Sequence, residues 1–309
     1  MALTLTQKIK MLNNSSRANQ EFQLGTMLAG GAVGSFIDVS PDGSDTLGNG
    51  TPLSPVASLT KAMTLVTSAR KVIRMAPGEY AEAATVVWSI IPGVIVKGAG
   101  AGLTVISALL SPYAITVTPG VVSSTWTGYL YDATIDHSGH TTGTTHLMKG
   151  IKFDNTAMTK KLLFGIKNCE FSANLGTDKS IDMVHGDADN AIRVYITGDG
   201  SQTEIQGQIY FDVDNVADRL EIVDCWLTGG NGSTEGAVAT SDDAHELRIR
   251  MLRCMVPLAS ALSGGSSTQV VTARLCYSWV DYDDTVPEIY HALETTDLIG
   301  NHTEVIADV

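Results

Sequence analysis

The chain has 309 residues, of which 44% are hydrophobic and 17% charged, with 30 glycines and 9 prolines. That composition excludes a disordered chain, which would be polar and poor in β-branched residues, and it excludes collagen-like and low-complexity classes. A formal charge of −13 makes the main body repel a phosphate backbone, which argues against nucleic acid as a partner.

Residues 1–34 read as a helical or extended attachment arm. Thr6 can cap a short helix over Gln7–Leu12 with Ile9 and Leu12 on one face. The run from Asn13 to Ser16 interrupts it. Arg17–Leu28 can form a second helix with Phe22 as an apolar contact, before Gly30, Gly31 and Gly34 make a hinge. Lys8, Lys10 and Arg17 outweigh Glu21, leaving about −15 for the rest of the chain. Lys8, Ile9, Leu12, Arg17 and Phe22 are therefore the expected contacts to a partner. The start lacks a basic segment followed by an apolar one, and no apolar run is long enough to span a bilayer. The expectation is synthesis in the cytoplasm without a signal peptide, and no membrane partner.

From residue 35 the text changes to short β runs separated by Gly, Asp, Asn, Ser and Thr. One amphipathic helix is expected over about 55–70, with Leu59, Ala62, Met63, Val66 and Ala69 at helical spacing. Strands are expected over Val72–Met75, Thr85–Trp88, Val94–Val96, Thr104–Ile106, Ala114–Thr118, Tyr129–Ile135, Met148–Phe153 and Leu163–Phe171. Further runs are Ile192–Ile196, Ile205–Val213, Leu220–Leu227, Glu246–Val256, Val270–Val280 and Leu298–Ile306. So many strands without interleaved helices predict an all-β fold.

The segments around Cys169, Cys225, Cys254 and Cys276 share a frame. Lys167-Asn168-Cys169-Glu170-Phe171, for example, parallels Val223-Asp224-Cys225-Trp226-Leu227. A last copy over Leu298–Val305 would place His302 in the cysteine slot. All four cysteines then occupy one position of a repeat and stack as buried free thiols inside a parallel β-helix. About twelve coils are expected, forming a rod on the order of 55 Å long.

The stretch from Phe36 to Asp45, then Gly48-Asn49-Gly50-Thr51-Pro52, resembles the opening of right-handed parallel β-helix proteins of the pectate-lyase-like superfamily. So do Val72–Tyr80, with its Ala76-Pro77-Gly78-Glu79-Tyr80 turn, and Gly93–Gly100 followed by Thr104-Val105-Ile106. The resemblance spans about residues 36–306. It implies a single-stranded right-handed parallel β-helix over 35–309 with a helix capping its N-terminal end. On function it implies little, because this fold hosts lyases, hydrolases and inert virion proteins.

Several groups could carry chemistry. Asp212 and Asp214 are two residues apart on an expected strand and would point the same way, with Asp182, Asp187 and Asp189 a coil away. Such paired carboxylates could serve glycoside hydrolysis, against the plainer reading of an acidic solvent face. Arg193 and Arg219 are possible lyase bases, and Arg248, Arg250 and Arg253 look like one strand face. His137, His140 and His146 could meet on a trimer axis and bind a metal, but a solvated loop suits their Thr- and Gly-rich surroundings better. Trp226, Trp279, Tyr277 and Tyr282 could form a sugar-binding patch or sit between subunits. No cofactor or metal site is expected.

The strand-like text at the C-terminus predicts an uncapped end and hence an oligomer, with a homotrimer first. A basic arm on an acidic β-helix resembles bacteriophage virion structural proteins. The expected function is capsid decoration or cementing, with the arm on the major capsid protein or another virion protein. The alternative is a tail fibre or tailspike that binds or depolymerises host surface polysaccharide.

Overall fold

In the computed structural model, the described residues are 36–108, 112–120, 124–138, 149–156, 158, 160–173, 178–184, 191–198, 203–212, 219–228, 238–240 and 246–256, with 262–263, 270–276, 279–280, 290–293, 295–296 and 302–303. The attachment arm, with Lys8, Ile9, Leu12, Arg17 and Phe22, lies outside them.

Successive strands visit three different faces and then return, so each face is a sheet built from about every third strand. The ten-stranded sheet runs in order through Phe36–Val39, Val72–Met75, Val94–Lys97, Trp126–Tyr131, Leu162–Lys167, Ile192–Thr197, Arg219–Val223, Glu246–Leu252, Val270–Cys276 and Tyr290–Leu293. A seven-stranded sheet runs from Val86–Val87 to Leu262–Ser263, and an eight-stranded one from Gly78–Glu82 to Trp279–Val280. Every pairing in these three sheets is parallel. This is a single-chain parallel β-helix, and the crossover rule for parallel strands gives it a right-handed sense. Ten coils are present among the described residues rather than twelve, about 43 Å of stacked strands at the usual spacing. The coils are longer than expected: equivalent residues are 36 apart at Asp132 and Asn168 and 29 apart at Asp224 and Arg253.

The interior follows from strand alternation. One inward column stacks Ile37, Ile73, Val96, Leu130, Ile166, Ile196, Ile222 and Met251 on consecutive coils. All are buried. Burying such side chains contributes roughly 1.5–3 kcal/mol each before entropy is counted. Trp88 and Phe153 pack edge-on to Phe164 at centroid distances of 5.0 and 4.9 Å.

The capping helix is shorter than the periodicity predicts. It covers Leu59–Thr64, with Ser58 as N-cap accepting from the Lys61 amide. Val56 is extended because it bridges to Val39, and a turn closes at Thr67 and Arg70. Leu59, Ala62 and Met63 face the open end of the coil stack. The buried Glu82 carboxylate accepts from the Leu59 amide at 2.6 Å and the Thr60 hydroxyl at 2.6 Å, tying the first turn to a coil. Arg70 donates to the carbonyls of Phe36 and Gly50, which fastens the first strand under the cap.

Six of the expected strands each divide into two. Tyr129–Ile135 divides at Asp132, Leu163–Phe171 at Asn168, Leu220–Leu227 at Asp224 and Glu246–Val256 at Arg253. Those four corner residues have φ of 53°, 50°, 55° and 52°. Asp and Asn tolerate this left-handed conformation; Arg253 is held in it by a two-pronged ion pair with Asp224. Val270–Val280 divides between Cys276 and Trp279. Ile205–Val213 likewise divides at Gly207, where φ is 82°.

Cys169, Cys225 and Cys254 each follow a corner residue and are free, buried thiols. Cys276 does not share their slot. It pairs in register with Leu252 and Leu293, two residues before the cysteine position. The expected last repeat copy also fails, because His302–Thr303 pairs antiparallel with Thr295–Thr296 instead of adding a coil.

Candidate functional site

The outer face of the seven-stranded sheet gathers residues from four coils. Tyr113 and Lys149 are register partners. Asp182 lies beside Lys152 on one side and Tyr210 on the other. Asp182 accepts from the Tyr113 hydroxyl at 2.8 Å and from Lys149 Nζ at 2.9 Å, while Lys179 Nζ stands 3.4 Å away. Lys149 also donates to the Tyr113 hydroxyl at 3.0 Å. Lys179 sits over the Tyr210 ring. Lys152 pairs with Asp154 at 2.7 Å, and Asp154 also accepts from the Thr156 amide and hydroxyl.

The electrostatics follow from this packing. Burial alone would raise Asp182, but Lys149, the Lys179 charge and the Tyr113 hydroxyl outweigh it and hold the carboxyl below its ordinary range. Burial would lower Lys149, yet its bonds to Tyr113 and Asp182 leave it raised. Burial raises Tyr113. Asp154 ends below its ordinary value because Lys152 and Thr156 outweigh its burial. Asp182, Lys149, Tyr113 and Lys179 thus engage one another across neighbouring strands.

The expected carboxylate set is only partly placed. Asp212 ends the strand Gln208–Asp212 and is the register partner of Val184, not of Asp182. Asp214, Asp187 and Asp189 lie outside the described residues. His137 is not on a solvated loop. It is buried inside the stack, with Nε2 3.3 Å from the Ser180 hydroxyl oxygen. Burial lowers its pKa, partly offset by Asp178, the Ile135 carbonyl and Asp136. His140 and His146 lie outside the described residues. Trp226 and Trp279 flank Met255 on the eight-stranded sheet, and Trp226 is exposed; Tyr277 and Tyr282 lie outside the described residues. Burial pushes the Cys169 thiol up to about 12 and the Cys254 thiol up to about 11.

The basic residues separate differently than the sequence suggests. Arg253 leaves the strand face for a corner, whereas Arg193, Arg219 and Arg248 fall into direct register on consecutive strands of the ten-stranded sheet. Their spacings in sequence are unequal, so no repeat period exposes the alignment.

No protein-family model matches the chain, and no curated protein matches it. Among solved structures it is similar to pectin methylesterase PemA from Erwinia chrysanthemi, with 10% identity, 87% of this chain and 90% of that one covered, and a TM-score of 0.46. It is similar to the pectin methylesterase from carrot, with 13% identity, coverages of 89% and 86%, and a TM-score of 0.43. It is also similar to ORF18 of Geobacillus virus E2, with 10% identity, coverages of 92% and 65%, and a TM-score of 0.33. The strand pairing itself identifies the chain as a parallel β-helix.

Proposed function

We propose that the chain is a non-enzymatic structural component of a bacteriophage virion, a β-helical rod that decorates the capsid and is held there by its N-terminal arm. The observation that carries the non-enzymatic part is the state of Asp182. A general acid or base needs a pKa near the working pH and a free approach to substrate. Asp182 is buried, engaged by two lysines and a tyrosine, and held below its ordinary range. The virion part rests on the resemblance of the arm and β-helix text to phage structural proteins. Homotrimerisation belongs to the same proposal, and a monomeric mass at micromolar concentration would count against it.

The test is the copy number of this chain in purified particles, by quantitative mass spectrometry against the major capsid protein. A number comparable to the capsid protein supports decoration. A few copies per particle moves the chain to the tail, and absence overturns the virion reading. A second reading, a tail fibre or tailspike that binds host polysaccharide, is favoured by the aromatic and arginine-bearing outer face of the ten-stranded sheet. Were the chain a depolymerase, Asp212→Asn would abolish measurable cleavage while sparing assembly.

A further inference from the structure

The chain has nine arginines, and six of them fall at outward register positions of the ten-stranded sheet: Arg74, which pairs with Asp38 near the cap, and five further along the rod. Arg193, Arg219 and Arg248 form one column on adjacent strands. Arg250 and Arg274 form a second column beside it, two residues further along the strands. Asp38, Glu221 and Glu246 are the acidic residues of the described strands on this face; Asp38 pairs with Arg74 at 2.7 Å and Glu221 with Arg250 at 3.4 Å. Adjacent parallel strands lie about 4.8 Å apart. Like charges directly opposite each other at that distance destabilise a sheet, so on a chain of charge −13 the column works against the fold that carries it. Beyond Lys179 every basic residue other than histidine is an arginine. Arginine's planar fork suits carboxylate, sulfate and phosphate groups, where lysine offers a point charge. The Nε atoms of Arg193 and Arg250 are shielded from solvent and donate to no protein acceptor.

The same face carries aromatic rings immediately upstream. Tyr129, Gly165 and Tyr195 occupy one column, in line with Glu221, Arg250 and Arg274. A Cβ at Gly165 would lie 2.8 Å from Tyr129 Cδ1, so the glycine admits the tyrosine ring lying across it. Tyr129 stacks against Tyr131 at 6.2 Å. Rings followed by arginines in strand register along the rod axis match a linear polymer that presents both sugar faces and repeating anions.

We infer that the outer face of the ten-stranded sheet, from Tyr129 to Arg274, binds a linear acidic polysaccharide along the rod axis. Arg193, Arg219 and Arg250 meet its carboxylate, sulfate or phosphate groups, and Tyr129 and Tyr195 meet its rings. This site adopts the glycan-binding reading for its ligand and does not depend on where in a particle the chain sits. Copy number therefore tests placement, and the purified chain tests the site.

The experiment is calorimetric titration of the full chain with hyaluronan, heparin, neutral dextran, poly-L-glutamate and duplex DNA, at low and at physiological salt. Salt-sensitive binding of hyaluronan or heparin, and none of dextran, is expected. Arg193→Gln with Arg219→Gln should weaken it about tenfold or more, and Tyr195→Ala should weaken it several-fold, while Lys160→Gln with Lys161→Gln leaves it unchanged. Arg219 is exposed, so Arg219→Gln alone carries the test should the double variant fold poorly. Hyaluronan binding with heparin silent assigns carboxylate recognition, and the reverse assigns sulfate; either supports the site. No binding of either polymer at low salt overturns the inference, as does equal binding by the arginine variants. Tighter binding of poly-L-glutamate or DNA also overturns it, in favour of an acidic protein surface or a nucleic acid.

Discussion

Two outer faces of the same solenoid handle charge in opposite ways. On the seven-stranded sheet, lysines alternate with Asp182, Asp154 and two tyrosines, and the groups satisfy one another. On the ten-stranded sheet, arginines stand opposite arginines in three consecutive strands. Both faces are built by the same parallel ladder, so the ladder is not what distinguishes them. The difference lies in which charges the register brings together, and it marks one face as stabilising and the other as available to a ligand.

The largest effect should come from opening the closed face. Asp182→Ala leaves Lys149 and Lys179 facing each other half-buried, and should cost about 3 kcal/mol, read as a lower midpoint in urea. A midpoint equal to wild type would show that the cluster holds nothing. On the other face, Gly165→Ala must displace the Tyr129 ring, and a cost of about 1 kcal/mol is expected from the crowding. Retained stability with lost polymer binding would sharpen the comparison further.

Acid should separate the two kinds of group. His137 has a lowered pKa when folded, so below its ordinary 6.5 the unfolded chain takes up the proton first and stability falls with pH. His137→Gln should flatten the melting temperature between about pH 7 and 5. Asp182 is also lowered, so its contribution is complete above its ordinary 3.8 and drains away as pH falls through the folded value. Asp182→Asn should flatten that lower limb only. The smallest effect belongs to the arginine column. Without ligand, Arg219→Gln should leave stability unchanged or raise it by about 0.2–1 kcal/mol. Added salt should stabilise wild type more than the variant, because it screens the repulsion. Destabilisation by Arg219→Gln would show that the column serves the fold.

Much of the fold is legible in the text. The Val72–Tyr80 segment lies where the sequence puts it, and the capping helix falls within the expected 55–70. The cysteine frame is real for Cys169, Cys225 and Cys254, and the structure supplies its cause: each follows a corner whose φ is positive. The corners themselves are hidden, because Asp132, Asn168, Asp224 and Arg253 interrupt a β run without glycine or proline. The helix over 55–70 shrinks because periodicity cannot register that Val56 has a strand partner in Val39.

The candidate site was the least legible part. Strand alternation shows that Arg193, Arg219 and Arg248 all face outward, and it does so from sequence alone. It cannot show that they face outward in one column. Loops lengthen some coils and shorten others, so the residues that stack are chosen by backbone pairing and not by a count along the chain. The same holds for Asp182, whose partners Tyr113 and Lys149 lie 69 and 33 residues away. Alternation, turn chemistry and apolar content, being local properties, determined that this chain coils into a β-helix. Register, a property of the stacked whole, decided which charges became neighbours.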